Sequence, residues 1–183
     1  MKRWIALAAL VSLTGPACAA HWTVDAAKSK LGFSVMWGGE PLNGVFEHWK
    51  ANIDFDTLDL DHSHAVVIIE TGSEVTDYSE GDDGLKGALG FAVDRFPAAR
   101  FETTGFRYLP GGMYAADGKL TIRGVSRPAT LPFKLDIQGN RARVTGKLTV
   151  IRTDFGVGQG EWASERPVAH EVTVTVDLTA TKG

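Results

Sequence analysis

The chain has 183 residues, enough for one domain with a substantial core. Its 44% hydrophobic and 22% charged content, with 21 glycines, exclude a disordered chain and describe a turn-rich globular one. A net charge of −3 without any basic cluster excludes an electrostatic surface for DNA or RNA.

The first residues read as a leader. Lys2 and Arg3 form a basic start, residues 4–13 are a short apolar run, and Ala17-Cys18-Ala19 offers small residues for cleavage. Ten residues fall short of the ~20 that a membrane-spanning helix needs. A signal peptide over residues 1–19 is therefore expected, leaving a mature periplasmic domain over residues 20–183. Without Lys2 and Arg3 the mature chain has 17 basic against 22 acidic residues, a net charge of −5. Cys18 is the only cysteine, so the mature chain has no intramolecular disulfide. Gly15-Pro16-Ala17-Cys18 can also be read as a lipoprotein site, although Gly15 stands where a branched apolar residue is usual.

Strand patterns then follow one another. Leu31, Phe33, Val35 and Trp37 alternate with Gly32, Ser34 and Met36, the period of a strand with one apolar face. A long β-prone stretch over residues 44–56 carries Phe46, Ile53 and Phe55, and residues 66–69 form a continuous apolar run suited to a strand covered on both sides. Residues 76–97 interrupt the pattern. They are rich in Gly and Asp, with Leu85 and Leu89 four apart, which predicts a short helix or lid weakened by Gly84, Gly87 and Gly90. Phe101, Thr103 and Phe106 mark the next strand. Over residues 114–137, Tyr114, Ala116, Gly118, Leu120 and Ile122, and then Leu131, Phe133, Leu135 and Ile137, define two strands sharing an apolar side. Val144, Gly146, Leu148 and Val150 follow, and Val172, Val174, Val176 and Leu178 close the chain.

About eight strands, separated by turns such as Pro110-Gly111-Gly112 and Gly139-Asn140, indicate an all-β domain with no βαβ unit. A sandwich or a barrel would bury the apolar faces. A single eight-stranded antiparallel barrel is favoured, because long terminal strands would otherwise leave sticky edges. The interior of such a barrel is either just filled or just able to hold one small ligand. The small inward residues Ala116, Gly118 and Gly146 either thin that interior or receive bulky partners such as Phe101 and Phe133. The pattern alone leaves both open.

Catalytic signals are weak. There is no Gly-x-Ser-x-Gly and no mature cysteine, and five histidines make chance triads easy to imagine. His62 and His64, beside Asp59 and Asp61, suggest either a metal site or a polar turn, and no third ligand is fixed by spacing. No catalytic residue, metal or cofactor is assigned, and no enzyme is expected. The enzyme alternative would rest on His62, His64, Asp82 and Asp83; a filled-core structural or stress module is the other. Arg123 alternates with the apolar face and is expected to point to solvent. Arg152 and Asp154 are expected to pair with each other or with a loop, the alternative being a ligand head group. Trp22, Trp37, Trp49 and Trp162 read as core or barrel-end packing rather than pocket.

Several short motifs recur in a recognisable order: Trp22-x-Val24-Asp25, Ser29-x-Leu31-x-Phe33, Gly44-x-Phe46, Ile53-x-Phe55-Asp56, Ser73-x-x-Thr76 and Phe96-Pro97-x-Ala99-x-Phe101. Residues 118–128, Gly-Lys-Leu-Thr-Ile-Arg-Gly-Val-Ser-Arg-Pro, are the strongest, and Arg152-x-Asp154-Phe155-Gly156 follows. In these motifs the chain resembles the YceI-like family of exported lipid- or polyisoprenoid-binding proteins, over nearly the whole mature length. The resemblance implies a lipocalin-like barrel whose apolar tunnel carries or stores a polyisoprenoid, an isoprenoid quinone or a fatty-acid derivative. The residues expected to line it are Phe33, Val35, Phe46, Phe55, Leu89, Phe91, Phe101, Tyr114, Leu120, Ile122, Leu131, Phe133, Leu148 and Val174. Many members have an Arg-Asp-x-His-Leu run and then Asp-Phe-Phe-Asp. This chain has Gly81-Asp82-Asp83-Gly84-Leu85 and Leu89-Gly90-Phe91-Ala92, so head-group preference is expected to differ. An exposed tunnel mouth would be an apolar patch that a second copy or transient membrane contact could cover.

Overall fold

The alternation of apolar and polar residues becomes eleven strands in a computed structural model that describes residues 19–183. The leader up to Cys18, and the lipoprotein alternative, lie outside the described residues. In chain order the elements are β1 (His21–Val24), β2 (Lys30–Trp37), β3 (Glu40–Phe46), β4 (Trp49–Asp54), β5 (His64–Glu70), β6 (Glu74–Thr76), α1 (Ser79–Lys86), β7 (Ala98–Leu109), β8 (Met113–Ile122), β9 (Val125–Gln138), β10 (Arg141–Ile151) and β11 (Val168–Lys182).

These eleven strands build eight staves. β2 pairs with β3 through Leu31 and Phe46, while β1 pairs with β4 through His21 and Asp54. β3 pairs with β6 through Phe46 and Glu74, and β4 with β5 through Trp49 and Ile69. Thus β1/β2, β3/β4 and β5/β6 are each one long strand with a break. The stretch over residues 44–56 is the second of these, broken at Glu47 and His48. β11 closes the ring, pairing with β10 on one side and with both β2 and β1 on the other. The closed eight-stranded antiparallel barrel is the fold expected from the sequence.

A break in a ladder orphans backbone groups, and side-chain hydroxyls collect them. Ser29 Oγ accepts from Thr179 N at 2.9 Å and donates to the Asp25 carbonyl at 2.7 Å. Ser73 Oγ accepts from His48 N at 3.0 Å and donates to the Glu70 carbonyl at 2.7 Å. Both serines belong to the motifs picked out above.

The two ends of the barrel differ. At one, Phe55 packs edge-on against Phe106, Tyr114 and Phe133, with ring centroids 5.0, 5.8 and 6.3 Å apart. Trp22 joins this plug and donates from Nε1 to the Phe55 carbonyl at 2.9 Å. At the other end β9 and β10 part company: their pairing ends at Gly146 and Phe133, while β9 runs on beside β8 to Val125. Pro128 and Pro132 lie in this singly paired stretch, where a missing N–H is tolerated. Phe155 and Val157 pack against Leu120, Ile122, Val125, Leu148 and Val150 where the two strands diverge.

The small inward residues receive neighbours rather than widen the interior. A Cβ on Gly118 would lie 2.9 Å from Phe101 Cζ, and one on Gly146 would lie 2.8 Å from the Pro132 carbonyl. The run over residues 66–69 is covered on one side only, because Ile68 is outward and 44% exposed. The interrupting segment does contain a helix, α1, laid across the open end. Its Gly84 is required there: a Cβ would lie 2.7 Å from Trp162 Cη2.

Phe55 is 7% exposed at the centre of the aromatic plug. Phe55→Ala is expected to lower the unfolding free energy by about 3–5 kcal/mol, read from urea denaturation with an unchanged slope.

Candidate functional site

Between the aromatic plug and α1 lies a cavity of about 270 Å³ whose wall exposes apolar atoms only. β2 contributes Phe33 and Val35, β3 Phe46, and the loop after β4 Phe55. Phe91 comes from the lid segment and Phe101 from β7. β8 supplies Leu120 and Ile122, β9 Leu131 and Phe133, β10 Leu148 and β11 Val174. All twelve were expected from alternation or motif.

Two expected residues are absent from the wall. Leu89 follows α1, is 39% exposed, and packs on the outside against Gly160. Tyr114 points inward but stacks on Phe133, centroids 5.5 Å apart, within the aromatic plug. Other wall residues were missed. Val67 and Ile69 were hidden in an unbroken apolar run, and Phe155 and Val157 come from the irregular segment after β10, where alternation carries no signal. Trp22 and Trp49, read as packing, also touch the cavity.

The open end is fastened by main-chain bonds. Gly158 N and Gln159 N both donate to the Leu89 carbonyl, at 2.8 and 3.0 Å. Arg123 does not point to solvent as expected. It follows the end of β8 with φ 50°, so strand alternation no longer governs it, and its Nη1 donates to the carbonyls of Ala88, at 3.0 Å, and Gly90. Its guanidinium lies over the Phe96 ring, 5.9 Å from the centroid.

Arg152 is 6% exposed and borders the cavity without an acidic partner in its bonds. Nε donates to Ala169 at 2.9 Å, Nη1 to Val157 and Gly158 at 3.1 Å each, and Nη2 to Ser164 and Val168 at 3.1 and 2.7 Å. A guanidinium has five N–H groups, so all five are spent on backbone carbonyls. Burial pulls its pKa below the ordinary arginine value. Gly158 makes the approach feasible: it has φ 76°, and a Cβ there would collide with Nη1. Asp154 is exposed and takes no part. The loop-bonding role of Arg152 is thus the one present, with backbone in place of Asp154.

The polar candidates do not assemble. His62 Nδ1 meets Asp59 Oδ1 at 2.8 Å on the surface, and that contact raises the histidine pKa. His64 Nδ1 lies 3.3 Å from Thr103 Oγ1 at the start of β5, whereas Asp82 sits on α1 at the lid. Among the described residues no group of three or more His, Cys, Asp or Glu could hold a metal ion. Asp82 Oδ1 accepts from Thr76 Oγ1 at 2.6 Å, which ties α1 to β6. One buried acid escaped the sequence reading. Glu74 has no exposed surface, and among the described residues neither of its carboxylate oxygens has a hydrogen-bond partner. Its place on the inward parity of Thr76 was the available signal.

A closed antiparallel barrel with a lidded cavity whose wall exposes apolar atoms defines a lipocalin-like protein class. Residues 22–180 match the YceI-like domain, and the chain belongs to the YceI-like family. A UPF0312 protein of Yersinia pestis is 33% identical over 139 residues, covering 74% of this chain and 72% of the relative. The crystal structure of Burkholderia cenocepacia BcnA superposes with a TM-score of 0.83 at 30% identity, covering 87% of this chain and all of that one. A polyisoprenoid binding domain from Saccharophagus degradans, implicated in plant cell wall breakdown, shares the fold with a TM-score of 0.69 at 14% identity. That match covers 90% of this chain and 99% of the other.

Arg152→Lys keeps the charge but offers three donors to five carbonyls. The variant is expected to lose about 3 kcal/mol of stability by urea denaturation, since buried acceptors are left unmet.

Proposed function

We propose that the protein holds one long-chain apolar or amphiphilic guest inside the barrel and carries or stores it in the periplasm, with no chemistry of its own. The guest class is a polyisoprenoid, an isoprenoid quinone or a fatty-acid derivative. The observation that carries this reading is the cavity of about 270 Å³ with a wholly apolar wall. Protein interiors otherwise pack as densely as organic crystals, and an empty void of this size costs about 6 kcal/mol at 24 cal/mol per Å³. A prenyl or acyl chain placed there is retained at about 25 cal/mol per Å² of apolar surface buried.

Other features support it. The Saccharophagus degradans domain of the same fold is described as polyisoprenoid-binding. Lys2, Arg3 and the short apolar run that follows suit export. Any contact with a membrane or a second copy belongs at the lid end, where Trp37 packs against Tyr78 and Trp162.

Organic extraction of natively purified protein, followed by mass spectrometry, is expected to yield a prenyl or acyl compound in near-equal amount to the protein. An empty extract, together with failure to bind any long-chain probe, would sink the proposal. Leu120→Trp fills part of the cavity and is expected to weaken binding of an apolar fluorescent dye such as diphenylhexatriene about tenfold, equivalent to about 1.4 kcal/mol.

A further inference from the structure

Among the described residues, the polar side chains that line the cavity are Thr71, Thr103 and Arg152, and each has hydrogen-bond partners. Thr71 Oγ1 donates to the Phe96 carbonyl at 2.8 Å, Thr103 Oγ1 accepts from Ala65 N at 2.8 Å, and Arg152 is saturated. Glu74 lies just outside that lining, buried and without such a partner. It stands on the interior face of β6 opposite Phe46, whose ring packs on Phe91 at 6.0 Å and on Phe33 at 5.4 Å.

Two residues along the same face, Thr76 receives α1. Both its backbone N, at 3.4 Å, and its Oγ1, at 2.6 Å, bind the Asp82 carboxylate. Glu74 therefore lies at the attachment point of the lid. Among the described residues the charged groups that act on it are Asp82 and Lys86, both from α1. β3 presents the uncharged Phe46, and the turn at Thr71–Ser73 presents hydroxyls already bonded to carbonyls.

We propose that Glu74 is a proton-controlled catch on the lid of the cavity. Neutral, it stays buried and α1 lies shut; ionised, it demands water, α1 lifts, and the guest can leave. The release of a guest rests on the carrier reading above, whereas the motion of the lid does not.

Burial pushes the Glu74 carboxyl up from 4.5 to about 7, opposed by the dipole of its own backbone N–H and then by Lys86, with Asp82 adding to the rise. With the lid open, the carboxyl is in water and returns to its ordinary value. Between the two values the open form has lost its proton while the closed form keeps it, so closure weakens as pH rises. Above about 7 both forms are ionised and the dependence ends. The opening equilibrium is expected to increase roughly fiftyfold from pH 5 to pH 7.5.

Hydrogen exchange of the amides over residues 79–91, corrected for intrinsic rates, reads the lid directly. Wild-type protection is expected to fall by tens of fold over that range, and Glu74→Gln to hold it constant. Lys86→Met, which removes the opposing cation, is expected to move the wild-type midpoint to higher pH and keeps the test open should Glu74→Gln fail to fold. Transfer of diphenylhexatriene, a dye without titratable groups, to phosphatidylcholine vesicles is expected to accelerate in step with exchange. Lid exchange that ignores pH in the wild type, or that follows pH equally in Glu74→Gln, overturns the catch. Lid exchange that responds while no dye binds leaves the catch standing and removes the carrier reading.

Discussion

The molecule depends on one constraint, the closing of the sheet along β11. This strand pairs with β10 from Ile151 to Arg141 on one side. On the other it meets β2 through Asp177 and then β1 from Ala180. Closure pairs the first and last strands, which would otherwise be open edges, and turns every second side chain of eight staves toward a common axis. The plug of Trp22, Phe55, Phe106, Tyr114 and Phe133 fills that axis at one end. The remaining apolar side chains enclose a space they cannot fill, and the cavity follows from closure as much as from any single residue.

The closed sheet also decides where irregular structure collects. The tight turns at Pro110–Gly112 and Gly139–Asn140 lie at the plugged end, whereas the open end adds to its own turns a helix and the long loop after β10, held to one another. The Arg123 guanidinium and the Gly158 and Gln159 amides donate to main-chain carbonyls of the lid segment, and Thr76 with Asp82 fastens its helix. Such bonds are few beside the ladders of the barrel, so this end is the part of the molecule with the smallest barrier to local opening.

Most of the barrel was legible because period-2 alternation is a direct image of a strand with one apolar face. The twelve wall residues from Phe33 to Val174 were read in that way or from motif. Illegibility began where the strand ended. Arg123 adopts φ 50° one residue beyond β8, and Phe155 lies in a 3-10 turn, so parity assigned neither. Val67 and Ile69 were masked because their outward neighbour Ile68 is apolar too. Tyr114 had the right parity, but depth along the axis, which parity does not encode, placed it in the plug. Glu74 broke the rule from the other side, since a carboxylate on an inward position conflicts with the expectation that charge faces water.

Arg152 has one more consequence. Its guanidinium grips only main-chain carbonyls, of Val157, Gly158, Ser164, Val168 and Ala169. A contact made to backbone asks nothing of the side chains that follow it, apart from the space reserved at Gly158. The exposed positions of the loop between β10 and β11 are therefore free to change, while Phe155, Val157 and Trp162 keep its inward packing. Divergent homologues can present different surfaces beside the same entrance without rebuilding the barrel beneath it.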